Sequence, residues 1–377
     1  MEVFIDGVIY QRQERGGISR IFNEILPRMC DLDASLSVDV LIEGKPRQKL
    51  PTHTHIRQLN ALPLDPFLPV RPVRFWQRVL PPLRQQGRQR QIERHRDYLW
   101  HSTYYTLPDK EWRGPTVLTV PDMIHERYPN YFSRPEDDAF RQQKRQCIQS
   151  ADAIICISET TRTDLQAYYA VDSSKLHVIP LAHSSVFQQR QITSSEILPT
   201  GEPFFLYVGK RDLYKNFGSL LEAYRRWPGQ REVKLVVVGR SWTAQESQQL
   251  ADSGIQERVR LLGKVSDTEL CDLYNRAAAF VYPSLYEGFG IPLLEAMACG
   301  CPIVASRIPA TVEVAAECPI YFDPEHLDSF VAALQQAIME GLESPRCAAG
   351  LSKAATYSWD KNAAQTLQCY RALAAVP

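Results

Sequence analysis

Residues 203–239 read PFFLYVGKRDLYKNFGSLLEAYRRWPGQREVKLVVVG, two apolar runs of strand length around a helical pattern. Neither run, 203–209 or 233–239, shows the polar alternation of a half-exposed strand. Both faces must then be covered, and strands covered on both faces by helices belong to a parallel sheet. The same alternation extends in both directions. Towards the amino end lie VFID (3–6), SVDVLIE (37–43), DYLWHS (97–102), PTVLTV (115–120) and ADAIICIS (151–158). Towards the carboxyl end lie VRLLG (259–263), AAFVYPS (278–284) and CPIVAS (301–306). Two such series predict an α/β protein with two doubly wound parallel sheets. The boundary falls in the polar stretch 183–203, so the domains are expected at 1–185 and 200–356. The segment 357–377 reads as an amphipathic helix that packs on its own domain or crosses to the other.

Length and composition agree with this organisation. At 377 residues the chain exceeds the roughly 150 of one ordinary domain. Hydrophobic residues make up 44% and charged residues 23%, which excludes disordered and fibrous classes. Lys plus Arg equals Asp plus Glu at 43 each, so no global field attracts nucleic acid or membrane. The nine cysteines form no CxxC pair, a pattern of reduced thiols in a cytoplasm and not of a disulfide framework or zinc site. The opening MEVFIDGVIY, broken by Glu2 and Asp6, reads as a strand and not a signal peptide, and no apolar run is long enough to span a membrane.

In open parallel sheets ligands sit beyond the carboxyl ends of the strands, so the strand-to-helix turns carry the information. After the first strand, Gly16 and Gly17 precede Ser19 and a helix; paired glycines admit a ligand to the backbone, although a plain tight turn has the same signature. After 203–209, Lys210, Arg211 and Lys215 gather at one strand end. The third turn is YEGFGIPLLEAMACG (286–300), where Gly288 and Gly290 keep side chains clear and Pro292 suits the first helical position. Glu295 is expected in the first turn, near the mouth of a site that Glu287 borders on the other side. Carboxylates of this kind accept hydroxyl donors such as those of sugars and ribose, and the free amides of 289–291 face phosphate oxygens. Paired carboxylates also suit glycoside hydrolysis, but a water-only reaction has no need of the cationic loop. Expulsion of a nucleoside diphosphate does need it, because negative charge grows on the leaving phosphate. No DxD-like metal motif stands near these turns, so the cations take the place of a divalent ion.

The stretch EGFGIPLLEAMACGCPIVAS resembles the glutamate, seven residues, glutamate signature of retaining GT-B glycosyltransferases of family 4 (glycosyl transferases group 1). YVGKRDLYKN is similar to that family's diphosphate-binding loop, and GGIS, TVPDMIHERYP, CISETTRTDL and YSWDKNAAQTL resemble further family elements across nearly the whole chain. The resemblance implies two Rossmann-like domains facing across a cleft, the acceptor mostly on the first and the nucleotide sugar mostly on the second, with the last helix returning to the first. It implies that Glu287 holds donor sugar hydroxyls, Glu295 the ribose, and Lys215 with Arg211 or Lys210 the diphosphate. It places Gly17, Ser158 and Asp122 near donor or acceptor, the loop backbone of Gly209, Gly288, Phe289, Gly290 and Ile291 at the donor, and Leu262, Gly263 and Lys264 at the base. It implies no metal or other cofactor and no obligatory protein nucleophile.

One position departs from the resemblance. Many relatives carry His-Asp where this chain has Pro121-Asp122, and His125 stands three residues on, where a packed or surface role is the ordinary one. That departure keeps a non-catalytic nucleotide-sugar or glycan-binding module as the alternative to an enzyme. The segment 71–96 carries eight arginines with Phe75, Trp76, Val79, Leu80 and Leu83 interleaved, which suits an anionic membrane surface, although Pro81 and Pro82 are expected to break any single helix there. Nucleic acid is not an expected partner. The sequence thus predicts a glycosyltransferase that moves a hexose-like sugar from a nucleoside diphosphate to a saccharide or lipid-linked acceptor. Its expected setting is cell-surface polysaccharide biosynthesis in the cytoplasm, with possible peripheral attachment to the membrane.

Overall fold

The structure is a computed structural model that describes residues 1–14, 16–63, 65–67, 74–191, 201–211 and 213–375. Residues 192–200 of the expected boundary, and 71–73 with the side chains of 74–78 in the basic segment, lie outside the described residues. The chain divides into two units, Met1–Leu181 with Trp359–Pro377, and Ala182–Ser358.

The first unit holds a parallel sheet of β1 (Glu2–Asp6), β2 (Ser37–Ile42), β3 (Ile56–Asn60), β4 (Leu99–Ser102), β5 (Thr116–Val120), β6 (Ala153–Cys156) and β7 (Leu176–Val178). Their order is β3-β2-β1-β4-β5-β6-β7. The chain moves outward from β1 to β3 and then resumes on the other side of β1, so the order reverses between β1 and β4. The second unit repeats the plan with β8 (Phe204–Val208), β9 (Lys234–Val238), β10 (Val259–Leu262), β11 (Ala279–Tyr282), β12 (Ile303–Ser306) and β13 (Ile320–Phe322), ordered β10-β9-β8-β11-β12-β13. Here the order reverses between β8 and β11.

The central strands are buried along their length: on one face of the second sheet Phe205, Leu235, Val237 and Val281 pack with Leu220, Tyr224 and Leu334, and on the other Phe280 meets Tyr274 with ring centroids 5.3 Å apart. In the first unit the final helix, Trp359–Ala374, packs beside Gly17–Leu32. Tyr370 hydrogen-bonds His101 Nδ1 on β4, His101 Nε2 lies 2.9 Å from Thr119 Oγ1 on β5, and Asn362 donates to the Pro180 carbonyl at 2.7 Å.

The expected helix break at Pro81 and Pro82 is corrected: one helix runs Arg74–Arg94 with both prolines inside it. A helical proline costs about 3 kcal/mol, and anchors on the following turns outweigh that. Leu80 and Ile92 are buried, Arg84 pairs with Asp65 at 2.7 Å, and Arg88 with Asp6 at 2.9 Å. Gly87 lets this helix touch the chain beneath, since a Cβ there would stand 1.8 Å from the Ala61 carbonyl oxygen. Arg84, Arg88 and Arg96, read from sequence as part of a membrane-facing set, are instead spent on acidic partners within the unit. No helix of the described residues is long and apolar enough to cross a membrane.

Candidate functional site

In the second unit the loops after β8 and β11 leave the sheet where its order reverses, the place at which parallel sheets open a crevice at their carboxyl edge. The first loop passes Gly209 and Lys210 and closes as a short 3-10 turn, Leu213–Lys215, before the helix Phe217–Arg226. The second runs from Tyr282 to Gly290, the left-handed cap (φ 111°) of the helix Ile291–Ala298. A backbone hydrogen bond from Leu285 N to the Tyr214 carbonyl, 2.8 Å, ties the loops together. Consequently Lys215 Nζ lies 2.6 Å from Glu287 Oε1, although the two are 72 positions apart. Both side chains keep some exposure, 20% and 12%, so incoming polar groups can reach the pair. Tyr282 lies beneath it, its hydroxyl pushed well above the ordinary range by burial and then by the Glu287 carboxylate.

The other predicted residues divide by environment. Lys210 is exposed, and its carbonyl accepts from Tyr207 at 2.5 Å, which fixes the backbone. Arg211 is a structural cation. Its side chain is fully buried, donates to Glu246 at 2.7 and 3.2 Å and to the Ser241 carbonyl at 3.0 Å, and lies over the Trp242 ring at 4.4 Å. Leu262 ends β10 with its carbonyl bound to Gly239 N at 3.1 Å, and Gly263 and Lys264 follow on the exposed edge. Gly288, Phe289 and Gly290 are buried; the Phe289 ring packs edge-on against Tyr357 at 5.7 Å, leaving backbone as what this turn presents.

Glu295 requires a correction. The helix begins at Ile291, so Pro292 is its second residue and Glu295 falls beyond the first turn. It is 5% exposed, with Tyr274 Oη 3.3 Å from its carboxylate, because the helix Asp267–Arg276 covers that side. The mouth beside Glu295 is therefore narrower than expected, with 5% of the residue left exposed.

In the first unit, Gly17 opens the helix Gly17–Leu32 behind an extended Gly16, after β1 and the short helix Ile9–Arg12. Asp122 follows β5, where its carboxylate accepts from Ile124 N at 3.1 Å and its carbonyl from the buried Lys144 at 2.8 Å. His125 packs between Phe132 and Phe140, ring centroids 4.2 and 4.7 Å away, and burial lowers its basicity against an opposing pull from Asp122. Ser158 is fully buried and caps the helix Glu159–Tyr168, accepting from Thr161 N at 2.8 Å, so its hydroxyl serves the backbone. Among the described residues no group of three His, Cys, Asp or Glu side chains is placed to hold a metal ion.

Sequence reasoning missed Glu246, Trp242, Tyr274 and Tyr282. Glu246 carries one local signal, the Thr243–Glu246 capping box, which reads as a helix start and not as the partner of an arginine 35 residues earlier.

Two family models match the chain: Glycosyltransferase Family 4 over residues 15–182 and Glycosyl transferases group 1 over residues 188–350. O-antigen chain mannosyltransferase B of Escherichia coli is 30% identical over 291 residues, 74% of this chain and 75% of that protein. Among solved structures, sucrose-phosphate synthase from Thermosynechococcus elongatus superposes with a TM-score of 0.77 at 20% identity over 100% of this chain and 99% of that one. Anabaena Alr3699/HepE in complex with UDP-glucose superposes at 0.68 with 15% identity over 97% and 99%. With its two parallel sheets and these matches, the chain belongs to glycosyltransferase family 4 of the glycosyl transferases group 1 and is a glycosyltransferase of GT-B fold.

Proposed function

We propose that this glycosyltransferase moves a hexose-like sugar from a nucleoside diphosphate to a saccharide or lipid-linked acceptor, with retention of anomeric configuration, in the building of a cell-surface polysaccharide. The observation that carries the reading is the Lys215–Glu287 pair, 2.6 Å apart at the crevice of the second sheet. A cation and a hydroxyl-accepting carboxylate held side by side match the two ends of a sugar diphosphate. A mannosyltransferase relative and a UDP-glucose complex among structural neighbours support the same class of donor.

In this reading Lys215 and the exposed Lys210 grip the diphosphate, while Arg211, already neutralised by Glu246, holds the loop that carries them. Glu287 orients sugar hydroxyls. Glu295, beside Tyr274, holds the ribose. The bond from the anomeric carbon to the diphosphate breaks, a bond to the acceptor oxygen forms on the same face, and the acceptor proton passes to the leaving phosphate. The lysines stabilise the charge that grows there, so neither a protein nucleophile nor a metal is required.

Thermal-shift screening against UDP-, GDP-, ADP- and TDP-sugars tests the donor class, because a ligand raises stability with its concentration over its dissociation constant. One nucleotide family is expected to raise the melting temperature and to release nucleoside diphosphate slowly without acceptor. Lys215→Ala and Glu287→Ala are expected to lose both effects. Stabilisation and release that persist in both variants would put the donor elsewhere.

A further inference from the structure

Two of the nine buried, free cysteines face each other across a helix pair in the second unit. Cys271 lies in the helix Asp267–Arg276, three residues before Tyr274, and Cys299 caps the helix Ile291–Ala298, four residues after Glu295. Their sulfurs are 3.7 Å apart, and the Cys299 amide donates to the Glu295 carbonyl at 3.2 Å. The thiol pair thus stands one helical turn along from the Tyr274–Glu295 contact on both helices at once.

The surroundings separate the two thiols chemically. A hydrogen bond from the Cys299 thiol lowers Cys271 below its ordinary range against the opposing effect of burial, and the positive charge of Arg190 acts in the same direction. The same hydrogen bond and burial raise Cys299. Asn275 also directs its amide to the Cys271 sulfur at 3.5 Å. Thiolates are the form that reacts with oxidants, so Cys271 is the reactive member and Cys299 its neighbour in waiting. The stretch Gln188–Arg190 lies across the pair as a strap. Gln188 and Gln189 are exposed; the Gln188 carbonyl accepts from Asn275 at 3.0 Å and lies 3.6 Å from the Cys271 sulfur. Arg190 pairs with Asp272 at 2.5 Å, and Gln189 lies against Gly300, where a Cβ would stand 3.1 Å from its amide nitrogen. Local opening of such a strap admits a peroxide, little larger than water.

We infer that Cys271 and Cys299 form an oxidation site, converted by hydrogen peroxide to a disulfide that draws the two helices together and weakens nucleotide binding beside Glu295. The Cys271 thiolate attacks one peroxide oxygen; the O–O bond breaks, the sulfur becomes a sulfenic acid, and the departing hydroxide is protonated to water. Cys299 then gives up its proton and its sulfur displaces the sulfenic hydroxyl as a second water. Two thiols lose two electrons and one peroxide gains them. A disulfide holds its sulfurs at about 2 Å, so the pair closes from 3.7 Å and the turns that carry Tyr274 and Glu295 move with it. With Glu295 only 5% exposed, a small movement is enough to shut it off. A bond of this kind in a reducing compartment is transient and regulatory, and a thiol reductant reopens it. The effect on binding rests on the reading of Glu295 as the ribose partner; formation of the bond does not.

Treatment of the full chain with hydrogen peroxide, followed by alkylation and peptide mass mapping, tests the site. Trypsin cuts at Arg276, between the two cysteines. A cross-linked peptide pair lighter by two hydrogens and reversed by dithiothreitol is expected in the parent and in Cys301→Ala, but not in Cys271→Ala or Cys299→Ala. Whichever of UDP, GDP, ADP and TDP stabilises the reduced chain is expected to bind the oxidised parent about tenfold more weakly, the worth of one hydrogen bond to a charged group. Peroxide should leave its binding to Cys271→Ala unchanged, and that binding also shows the variant to be folded. Thiols that stay free, sulfinic acid at Cys271 without a cross-link, or a cross-link through Cys301 would overturn the site. So would a cross-link that leaves nucleotide binding unchanged; Glu295→Ala in the reduced chain then shows whether the ribose reading falls too, since weakened binding there leaves that reading standing.

Discussion

Lys210 and Arg211 are neighbours with opposite fates, and the difference is solvation. A guanidinium with no exposed surface needs a counter-charge, and Glu246 provides it at 2.7 Å with Trp242 as a second cover. Removing one member of a buried pair leaves the other charged and unpaired, which costs about 3–5 kcal/mol. Arg211→Ala is therefore expected to fall in that range by urea unfolding, towards its lower end because Glu246 keeps 15% exposure. Lys210→Ala, whose ammonium is already in water, should unfold like the parent and instead raise the donor KM about tenfold or more, as for one charged hydrogen bond. The pair also predicts an acid response. Its hydrogen bond from Arg211 holds the Glu246 carboxyl at about 2, below its ordinary range. A folded pKa below the unfolded one gives stability that is complete above the ordinary carboxylate range and is lost as pH falls through it towards 2. The acid sensitivity of Arg211→Ala relative to the parent, followed by unfolding between pH 5 and 3 (roughly the Glu titration range), should be correspondingly flatter.

Elements were legible from the sequence where burial is two-sided. Runs such as VKLVVVG and AAFVYPS mark strands with helices on both faces, and the structure places them inside its sheets. The strands that escaped, β3, β7 and β13, are edge strands in each case. IRQLN in β3 is half exposed and carries no apolar run, so its pairing with β2 is dictated by its neighbour and not by its own residues. The helix through Pro81 and Pro82 escaped for a related reason: its anchors, Asp65 and Asp6, are remote in sequence. At the candidate site the residue types and strand-end positions were readable, and the covering of Glu295 by Tyr274 was not. The turn glycine offers a test at this scale. Gly290 stands at φ 111°, and a Cβ there would lie 3.0 Å from Leu293 Cδ1. Gly290→Ala should cost about 1–3 kcal/mol of stability. Because it displaces the start of the helix Ile291–Ala298, it should also weaken donor stabilisation in the thermal-shift screen.

At the scale of the whole chain, the first unit is built from both ends of the sequence and the second from the middle. Trp359, Leu367 and Tyr370 of the last helix are buried in the first unit, each worth roughly 1.5–3 kcal/mol, together a large share of the ~5–15 kcal/mol that holds an ordinary domain. Tyr370 also shields His101, whose basicity burial lowers to about 3. Since that folded value lies below the unfolded one, this histidine favours the folded unit above about pH 6.5 and ceases to as pH falls towards 3. A chain ending at Ser358 would expose the His101 ring and leave an apolar groove beside Gly17–Leu32. The first unit of that chain is expected to unfold or to become protease-sensitive. The core cluster of the second unit around Phe205, Tyr224 and Leu334 holds no residue of the last helix, so that unit should keep a cooperative melting transition and its stabilisation by nucleoside diphosphate through Lys215 and Glu287. Calorimetry with and without the nucleotide reads both outcomes. A truncated chain that melts in a single transition unchanged from the parent would mean that the last helix contributes far less than its buried side chains imply.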